Sequence, residues 1–236
     1  VVRTLPNGGD AAPLLRGREM QSLTRRHKSL LAGLSGGLWL AVNPMLAGRL
    51  RYGPVPLPRR ARDYLALSLN DGMQIVYHDP EAMGKIYVTP QLERIPGYLT
   101  WGPEPLDEGF SAEDFVSALQ PFRGEVKGVL TRGTCVAGIG NAYADEILFE
   151  AGIYPFRAVT SLSHEERVRL YEALRAVLRR AIAEVRALMG DDPSGIHRGN
   201  LRVHHRKGEP CPRCGQPLSE VTGAGRATDF CRRCQP

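Results

Sequence analysis

The sequence lacks any long hydrophobic run and any leader that would take the chain into or across a membrane. Its 236 residues contain no stretch of eighteen apolar residues, which excludes a membrane-spanning helix. The opening residues do not form a basic and then apolar leader, so nothing marks the chain for secretion. We therefore expect a cytoplasmic protein.

Cysteine is scarce, and its distribution is uneven. Four of the five cysteines lie between Cys211 and Cys234. The fifth, Cys135, stands in an apolar neighbourhood where we expect a small buried side chain. Because we expect a cytoplasmic protein, paired disulfides are the weaker explanation for the clustered cysteines. Their grouping points to a metal site.

Acidic residues are outnumbered by basic ones. The chain has 31 Lys and Arg against 25 Asp and Glu, a net charge of +6 and a pI near 9.2, and arginine far outnumbers lysine. This balance suits a polyanionic partner, most simply nucleic acid. A solvated basic surface explains it equally well, so charge alone leaves both interpretations open.

The clustered cysteines follow the spacing C-x2-C-x16-C-x2-C and are Cys211, Cys214, Cys231 and Cys234. Each pair supplies two thiolates from one tight turn, and four thiolates complete a tetrahedron around zinc. All four ligands come from protein, which leaves no open position for water. We predict one structural Zn²⁺ ion.

Short strands are predicted for the first hundred residues. The predicted strands cover 38–43, 64–69 and 72–79. The step Asp71-Gly72 between the last two predicts a hairpin, because glycine accepts a positive φ without steric cost. Pro54, Pro56 and Pro58 are expected between strands, where they cannot interrupt a ladder. The pattern is typical of a sandwich or barrel.

A helical period begins after the proline-rich WGPEP at 101–105. Ser111 with Asp114 and Ser163 with Glu166 have the spacing of capping boxes. The predicted helices start near 111, 125, 140 and 163, and the last of them runs to about 188. Residues 190–199 are predicted to be a loop.

Two glycine-flanked polar residues are candidates for contact with an anion. Gly140 and Asn141 begin a predicted helix whose exposed N–H groups and positive dipole end suit a phosphate, although a simple helix cap has the same pattern. Gly225 and Arg226 are expected at the tip of a hairpin between the cysteine pairs, where an arginine can meet a phosphate. A solvated turn arginine is the alternative.

Four segments together resemble the formamidopyrimidine-DNA glycosylase / endonuclease VIII family, nearer its formamidopyrimidine branch. GIGNAYADEILFEAGIYP at 138–155 resembles the helix–two-turns–helix element of that family, and RKGEPCPRC with GRATDFCRRCQ resembles its zinc finger. WGPEPL resembles the interdomain linker, and TRRHKSLL at 24–31 resembles a basic strand that carries a lysine of the catalytic site. The similarity extends from about residue 20 to the end of the sequence.

The resemblance implies an α+β multi-domain fold. Its expected parts are an antiparallel β-sandwich without its N-terminal part at 1–103, a helix–two-turns–helix domain at 104–200 and a zinc-finger β-hairpin at 201–236. It also implies base-excision repair on double-stranded DNA with a damaged base or an abasic site, by a monomer associated with a bacterial nucleoid. Members extrude the damaged base, which is classically an oxidised purine. They then act as AP lyases through Schiff-base chemistry at an N-terminal proline.

The opening VVRTLPNGG departs from the proline-glutamate start of the family. Pro6 is internal, so its nitrogen is an amide and cannot be the nucleophile. We expect a glycosylase whose given sequence begins after its catalytic segment. The alternative is a non-catalytic DNA-binding member of the family, and a zinc-ribbon protein without DNA affinity is a remote third interpretation.

The residues that would fill the gap left by the extruded base depart from the family as well. Met45 matches the intercalating methionine. The second loop reads HDPEAMG instead of D-P-R-R-F-G, so Glu81 and Ala82 replace arginines and Met83 replaces phenylalanine. A glutamate could accept from a cytosine amino group but would repel phosphates, whereas Met83 can still wedge.

The remaining carried-over roles concern basic residues. Lys28 would assist β-elimination and contact phosphate, and Arg226 would grip phosphate and assist δ-elimination. Without the resemblance, the run at 25–28 places alternate basic side chains on one strand face, which also describes a solvated surface. Arg123 and Lys127 are weaker phosphate candidates, chosen on position alone.

Overall fold

The computed structural model describes residues 2–4, 10–190, 195, 198–223 and 225–236, apart from the side chains of residues 3, 4 and 226. The chain divides into two compact units: the first is Val1–Thr100 with Gly190–Ile196, and the second is Trp101–Met189 with His197–Pro236. The three-part division at 103 and 200 stays a prediction. None of the helices in these ranges is long and apolar enough to span a bilayer.

The first unit contains a five-stranded and a three-stranded sheet. In chain order its elements are β1 (Val2–Thr4), α1 (Ala12–Leu15), β2 (Met20–Arg26), β3 (Ser29–Leu34), β4 (Leu38–Asn43), β5 (Arg49–Pro54), β6 (Asp63–Ser68), β7 (Met73–His78) and β8 (Lys85–Thr89). The larger sheet has the order β1-β8-β4-β3-β2 and the smaller one β5-β7-β6.

A shared apolar core confirms the predicted sandwich. Leu40 and Val42 of β4 are buried in one cluster with Tyr77 of β7 and with Ile86 and Val88 of β8. Their spacing of two places them on one face of each strand. Among the described strands, all pairs are antiparallel except β1 with β8, which pair in parallel. This pair departs from the predicted antiparallel sandwich.

The predicted hairpin at Asp71-Gly72 is confirmed. Gly72 has φ +80°, and the Asp71 side chain accepts a hydrogen bond from the Met73 N–H at 2.9 Å. The expectation for Pro54 was wrong, because this residue ends β5 and is paired with Met73. The pairing is tolerated because β5 is an edge strand, where proline's missing N–H need not break hydrogen bonds between inner strands.

The predicted basic strand at 24–31 is not continuous. β2 ends at Arg26, which pairs with Ser29 of β3, and the chain turns through His27 and Lys28 between them. His27 has φ +55°, which a strand residue cannot have. Lys28 therefore lies in an exposed hairpin turn and shares no strand face with Arg25 and Arg26.

The second unit contains four helices and a hairpin. They are α2 (Ala112–Leu119), α3 (Val126–Thr131), α4 (Asn141–Ala151), α5 (His164–Met189), β9 (Ser219–Gly223) and β10 (Arg226–Phe230). A buried apolar cluster formed by the four helices and the segments between them includes Cys135. Burial raises the pKa of the Cys135 thiol to about 12, so this cysteine is a core residue, as the sequence predicted.

Both predicted capping boxes form. The Ser111 hydroxyl accepts from the Asp114 N–H at 3.1 Å, and the Asp114 carboxylate accepts from the Ser111 N–H at 2.9 Å. The hydroxyl of Ser163 and the carboxylate of Glu166 make the same exchange at 3.2 and 2.8 Å. Most of the predicted loop at 190–199 lies outside the described residues.

Candidate nucleic-acid interface

The four clustered cysteines have the geometry of a tetrahedral zinc site. Their Sγ atoms all lie within 4.8 Å of one another, with 3.9 Å between Cys211 and Cys234 and 3.5 Å between Cys214 and Cys231. Zinc with Zn–S bonds of about 2.3 Å requires sulfurs about 3.8 Å apart. A backbone hydrogen bond from Gln216 lowers the pKa of Cys214 to about 7, whereas burial raises the pKa of Cys231 and of Cys234, so these two thiols need the metal itself to become thiolates.

The hairpin between the cysteine pairs carries the predicted arginine. Arg226 is the first residue of β10 and pairs with Gly223 of β9, and Gly225 before it has φ +72°. The backbone of Arg226 therefore stands beside the hairpin turn, as predicted. Its side chain lies outside what the structure describes.

The next residue of β10 is held by two side chains of the helical segment. Lys127 Nζ of α3 donates to the Ala227 carbonyl oxygen at 2.9 Å, and Asn141 Nδ2 of α4 donates to the same oxygen at 2.8 Å. A carbonyl oxygen has two lone pairs, so this one is fully used. The two bonds attach the hairpin to α3 and to the first turn of α4.

Lys127 belongs to a buried network of charges. Its Nζ lies 2.7 Å from Asp145 Oδ1, with 9% of the lysine side chain and none of the aspartate exposed. It also donates to Thr228 Oγ1 at 2.8 Å. Because its donors are directed inward, Lys127 is not available to a phosphate. The prediction that Lys127 contacts phosphate is therefore wrong.

His204 lies between two buried carboxylates. Its Nδ1 is 2.8 Å from Asp145 Oδ2 and 3.3 Å from Asp229 Oδ2. Because both neighbours accept hydrogen bonds, Nδ1 must carry the hydrogen. Burial raises the pKa of Asp229, and the nearby Asp145 charge adds to the rise, while the His205 N–H acts in the opposite direction.

Glu146, which follows Asp145 on α4, holds the segment that enters the finger. Its Oε1 accepts from the backbone N–H groups of three consecutive residues, Arg202, Val203 and His204, at 2.9, 2.9 and 3.0 Å. Only 3% of Glu146 is exposed. Three donors on one buried carboxylate oxygen form a charge-assisted anchor, which is stronger than the same bonds to a neutral amide oxygen.

The other end of α4 is joined to the cysteine knuckles. Arg213 donates to the Phe149 and Glu150 carbonyl oxygens at 2.7 and 3.0 Å and lies 4.5 Å from the centroid of the Phe149 ring. Gln235 donates to the Ile153 carbonyl oxygen at 3.0 Å. The finger therefore contacts the whole length of α4.

The first turn of α4 is suited to an anion. Gly140 is the N-cap residue, with φ −102° and ψ 176°, and a glycine brings no side-chain acceptor for the first N–H groups of the helix. These groups have no partner within the helix and carry the positive end of its dipole. These N–H groups lie next to Asn141. The Asn141 side-chain amide donates to the Ala227 carbonyl oxygen, and Ala227 directly follows Arg226. Gly140, Asn141 and Arg226 are therefore brought together.

Arg123 is not part of this group of residues. Its guanidinium is exposed, and Nη1 donates to the Gln120 and Phe122 carbonyl oxygens at 2.7 and 2.9 Å. These bonds hold the side chain against its own turn. Its assignment as a phosphate contact stays a prediction.

The site residues of the first unit lie in loops. Lys28 is exposed in the β2–β3 turn. Met45 lies in residues 44–48 between β4 and β5, the Met45 loop, and Met83 lies in residues 79–84 between β7 and β8, the Met83 loop. Each methionine is 43% exposed. An exposed methionine on a loop suits contact with an apolar or stacked surface.

Sequence reasoning missed the residues that hold these groups in place. Asp145, His204 and Asp229 form the buried network, and Tyr77 and Asp79 support the two methionine loops. A signal for Asp145 existed, because it lies one helical turn after Asn141 on the same face of α4. No comparable pattern connects His204 with Asp145, 59 residues away.

Known sequence families match nearly the whole chain. Residues 1–86 match the formamidopyrimidine-DNA glycosylase N-terminal domain, residues 101–189 match the formamidopyrimidine-DNA glycosylase H2TH domain, and residues 208–236 match the zinc finger found in FPG and IleRS. The match to this finger agrees with the four-thiol geometry, and the protein has one structural Zn²⁺ site.

Individual relatives agree with these matches. Over 215 residues the chain is 42% identical to a formamidopyrimidine-DNA glycosylase of Moorella thermoacetica, covering 88% of this chain and 78% of the relative. It is 38% identical to that of Thermus thermophilus over 231 residues, which is 94% of this chain and 84% of the relative.

Solved structures share the fold. The crystal structure of MutM (Fpg) from Thermus thermophilus has a TM-score of 0.83 at 35% identity and covers 99% of this chain and 87% of that one. A complex of Lactococcus lactis Fpg with DNA containing an abasic site has a TM-score of 0.82 at 29% identity, with coverage of 94% and 83%. The chain therefore belongs to the formamidopyrimidine-DNA glycosylase family of base-excision-repair enzymes.

Proposed function

We propose that this glycosylase acts on oxidised purines in duplex DNA, as a DNA glycosylase and AP lyase that extrudes the damaged base. The observation that carries the proposal is the double hydrogen bond of Lys127 and Asn141 to the Ala227 carbonyl oxygen. It sets the hairpin that bears Arg226 beside the free N–H groups of α4. An anion held by these N–H groups would then lie beside the backbone of Arg226, which suits a DNA phosphate.

In the proposed chemistry, the group that attacks the sugar differs from the residue that holds the phosphate. A secondary amine attacks the sugar carbon that bears the base, the base leaves, and the resulting Schiff base allows the strand to be cut by elimination. Lys28, exposed in its turn, would assist β-elimination, and Arg226 would hold the phosphate that leaves in δ-elimination. Pro6 has an amide nitrogen and does not supply the amine, and it lies outside the described residues.

One observation favours a second candidate, a DNA-binding member that recognises damaged, abasic or distorted DNA without cutting it. The Met83 loop carries Glu81 and Ala82, and the Glu81 side chain is exposed. An exposed carboxylate at a DNA-facing loop would repel phosphates, and arginine is the residue that reads a guanine edge.

Borohydride trapping with the full natural protein separates the two candidates. Duplexes with 8-oxoguanine or an abasic site should yield a covalent protein–DNA adduct, because borohydride reduces a Schiff base to a stable amine. Absence of an adduct, under conditions in which another glycosylase of the family forms one, would establish the non-catalytic candidate.

Binding to duplex DNA is tested separately from the reaction. Arg226→Ala should weaken duplex binding about tenfold and reduce the slope of log affinity against log salt by about 1, as expected for one lost phosphate contact. Arg206→Ala is the matched control, because Arg206 pairs with Glu209 on the surface of the same segment. An unchanged slope for Arg226→Ala would contradict its assignment.

We further propose that the protein acts as a monomer in the bacterial cytoplasm, associated with the nucleoid through DNA. The support is the bacterial source of its relatives and the location of the substrate. The three-part division at residues 103 and 200 remains part of this proposal.

A further inference from the structure

The Met45 loop and the Met83 loop are neighbours at one end of the sandwich. Each leads from one sheet to the other. Asn43 before the first loop pairs with Lys85 after the second, and Arg49 after the first pairs with His78 before the second. Because their strand ends are paired on both sides, the two loops must run next to each other.

One buried tyrosine touches both loops. Tyr77 is fully buried in the core of the sandwich. A Cβ atom placed on Gly48, which ends the Met45 loop, or on Gly84, which ends the Met83 loop, would overlap the Tyr77 hydroxyl group. Both loops therefore approach this hydroxyl closely, and each does so at a residue without a side chain.

A buried aspartate connects the same tyrosine to the Met83 loop. The Tyr77 hydroxyl donates to Asp79 Oδ2 at 3.3 Å, and the same oxygen accepts from the Gly84 N–H at 2.6 Å. Asp79 Oδ1 accepts from the Glu81 N–H at 3.2 Å. The carboxylate thus closes the loop across its base, and the hydroxyl joins this closed loop to Gly48.

The methionines stand on turns that have little freedom to rearrange. Met45 has φ +52° and Ala82, next to Met83, has φ +54°. The Met45 N–H donates to Asn43 Oδ1 at 3.0 Å, and the Ala82 N–H donates to the Asp79 carbonyl oxygen at 3.2 Å. A non-glycine residue keeps a positive φ only where its surroundings hold it there.

We propose that Tyr77 is a positioning residue that makes Met45 and Met83 act as one wedge in the DNA stack. This inference rests on the proposed function, base extrusion from duplex DNA, and on the sequence-based expectation that Met45 and Met83 fill the gap left by the extruded base. Tyr77 does not touch DNA in this proposal. Its hydroxyl fixes the distance between the two loops, so that displacing one methionine changes the position of the other.

Tyr77→Phe tests the proposal, because it keeps the ring and removes only the hydroxyl. In the full zinc-loaded natural protein it should slow the fluorescence rise of a 2-aminopurine next to the lesion about tenfold, since small misplacements of positioning groups have large kinetic effects. Incision at a preformed abasic site, which needs no base to be extruded, should change by less than about twofold. Tyr52→Phe, an exposed tyrosine of β5, should change neither rate.

A double-mutant comparison gives the decisive result. Met45→Ala and Met83→Ala should have a combined effect on extrusion that differs at least about threefold from the product of the single effects, and this coupling should vanish in the Tyr77→Phe background. Independent effects in the wild-type background, or an equal loss at lesions and abasic sites, would overturn the inference. Absence of extrusion by the wild-type protein would instead overturn the proposed function.

Discussion

The finger–α4 junction and the pair of methionine loops solve one problem by different physical means. Both hold an outer element that we assign to DNA contact. The junction uses charge: Lys127 and Asp145 are buried and paired, and His204 holds Asp145 from the finger side. Between the two loops the contact is one of shape: Tyr77 fills the space left by two glycines, and the methionines themselves stay exposed.

The difference concerns what each arrangement tolerates. A buried charge that loses its partner is strongly destabilising, because its desolvation remains uncompensated. A loop held by packing loses less when a contact is removed, and its exposed side chain can change without disturbing the base. The altered residues Glu81, Ala82 and Met83 are found on the loop, as this reasoning expects, whereas Asp145, Glu146 and Asp229 of the junction lie within the segments that resemble the family.

Removal of zinc has the largest expected effect and would break the junction side of the comparison. A chelator, or Cys211→Ala, should release the metal, unfold the hairpin and weaken duplex binding about a hundredfold, or about 2.7 kcal/mol. Metal content and duplex affinity measure the result. Cys135→Ala, in the helical core, should keep one zinc ion per chain, and full affinity without metal would contradict a structural role.

Lys127→Met comes next. It leaves the Asp145 carboxylate buried without its cation and should lower the free energy of unfolding by about 3–5 kcal/mol in a denaturant titration. Lys207→Met is the matched control, because Lys207 is 67% exposed and lies 3.6 Å from Glu220. We expect the control to change stability by less than about 1 kcal/mol. Similar losses in the two variants would show that the junction is not maintained by charge.

Gly84→Ala tests the packing side of the comparison. Its Cβ atom would overlap the Tyr77 hydroxyl and come within 2.9 Å of Asp79 Oδ2, so we expect a loss of about 1–3 kcal/mol in thermal or denaturant unfolding. Gly128→Ala provides the contrast, because α3 has open space at that position and alanine should stabilise a helix by about 0.5–1 kcal/mol. If Gly84→Ala raised the free energy of unfolding, as we expect for Gly128→Ala, the close approach at Gly84 would be refuted.

The smallest effect concerns a charge outside both regions. Hydrogen bonds from Arg157 and then from the Ser163 N–H lower the pKa of Glu166 to about 2. Its stabilisation is therefore present above the unfolded pKa of about 4.3 and is lost as the pH falls towards 2. Glu166→Gln should cost about 1 kcal/mol at pH 7 and nothing near pH 2.

Unfolding curves across that pH range measure the effect. The control is Glu184→Gln, because Glu184 is 42% exposed and lies 3.9 Å from Arg180. It should show no such dependence on pH. A Glu166→Gln deficit that persists at pH 2 would mean that the lost interaction is not the ionic one.

Local patterns in the sequence predicted much of this architecture. The cysteine spacing identified the zinc site, Ser111 and Ser163 marked two helix starts, and Asp71-Gly72 marked a hairpin. Each of these signals is local: the helix starts and the hairpin depend on the backbone geometry of a few residues, and the cysteines on ligand spacing within the segment from Cys211 to Cys234. Lys28 was misplaced because a turn with His27 at positive φ has no strong sequence signature when the turn residues are not glycine or asparagine.

The supporting residues of the site could not be predicted in the same way. His204 and Asp145, or Tyr77 and Gly48, meet only because the chain folds back on itself, and neither periodicity nor spacing records such a meeting. Burial of the charges was equally hidden, because Lys127 and Asp145 resemble ordinary surface residues in the sequence. Long-range pairing, which decides how firmly the site is held, is a property of the folded chain.

The attachment of α4 to the finger has a consequence for how the protein is made. Synthesis runs from the first residue to the last, so α4 leaves the ribosome well before residues 202–204 and 226–230. Until those residues emerge, Glu146 has none of its three N–H donors and Asp145 lacks His204. Domains generally fold in the order in which they are synthesised. Here the contacts of Asp145 and Glu146 with the finger can form only after its residues emerge, so closing the finger around zinc also completes the packing of α4.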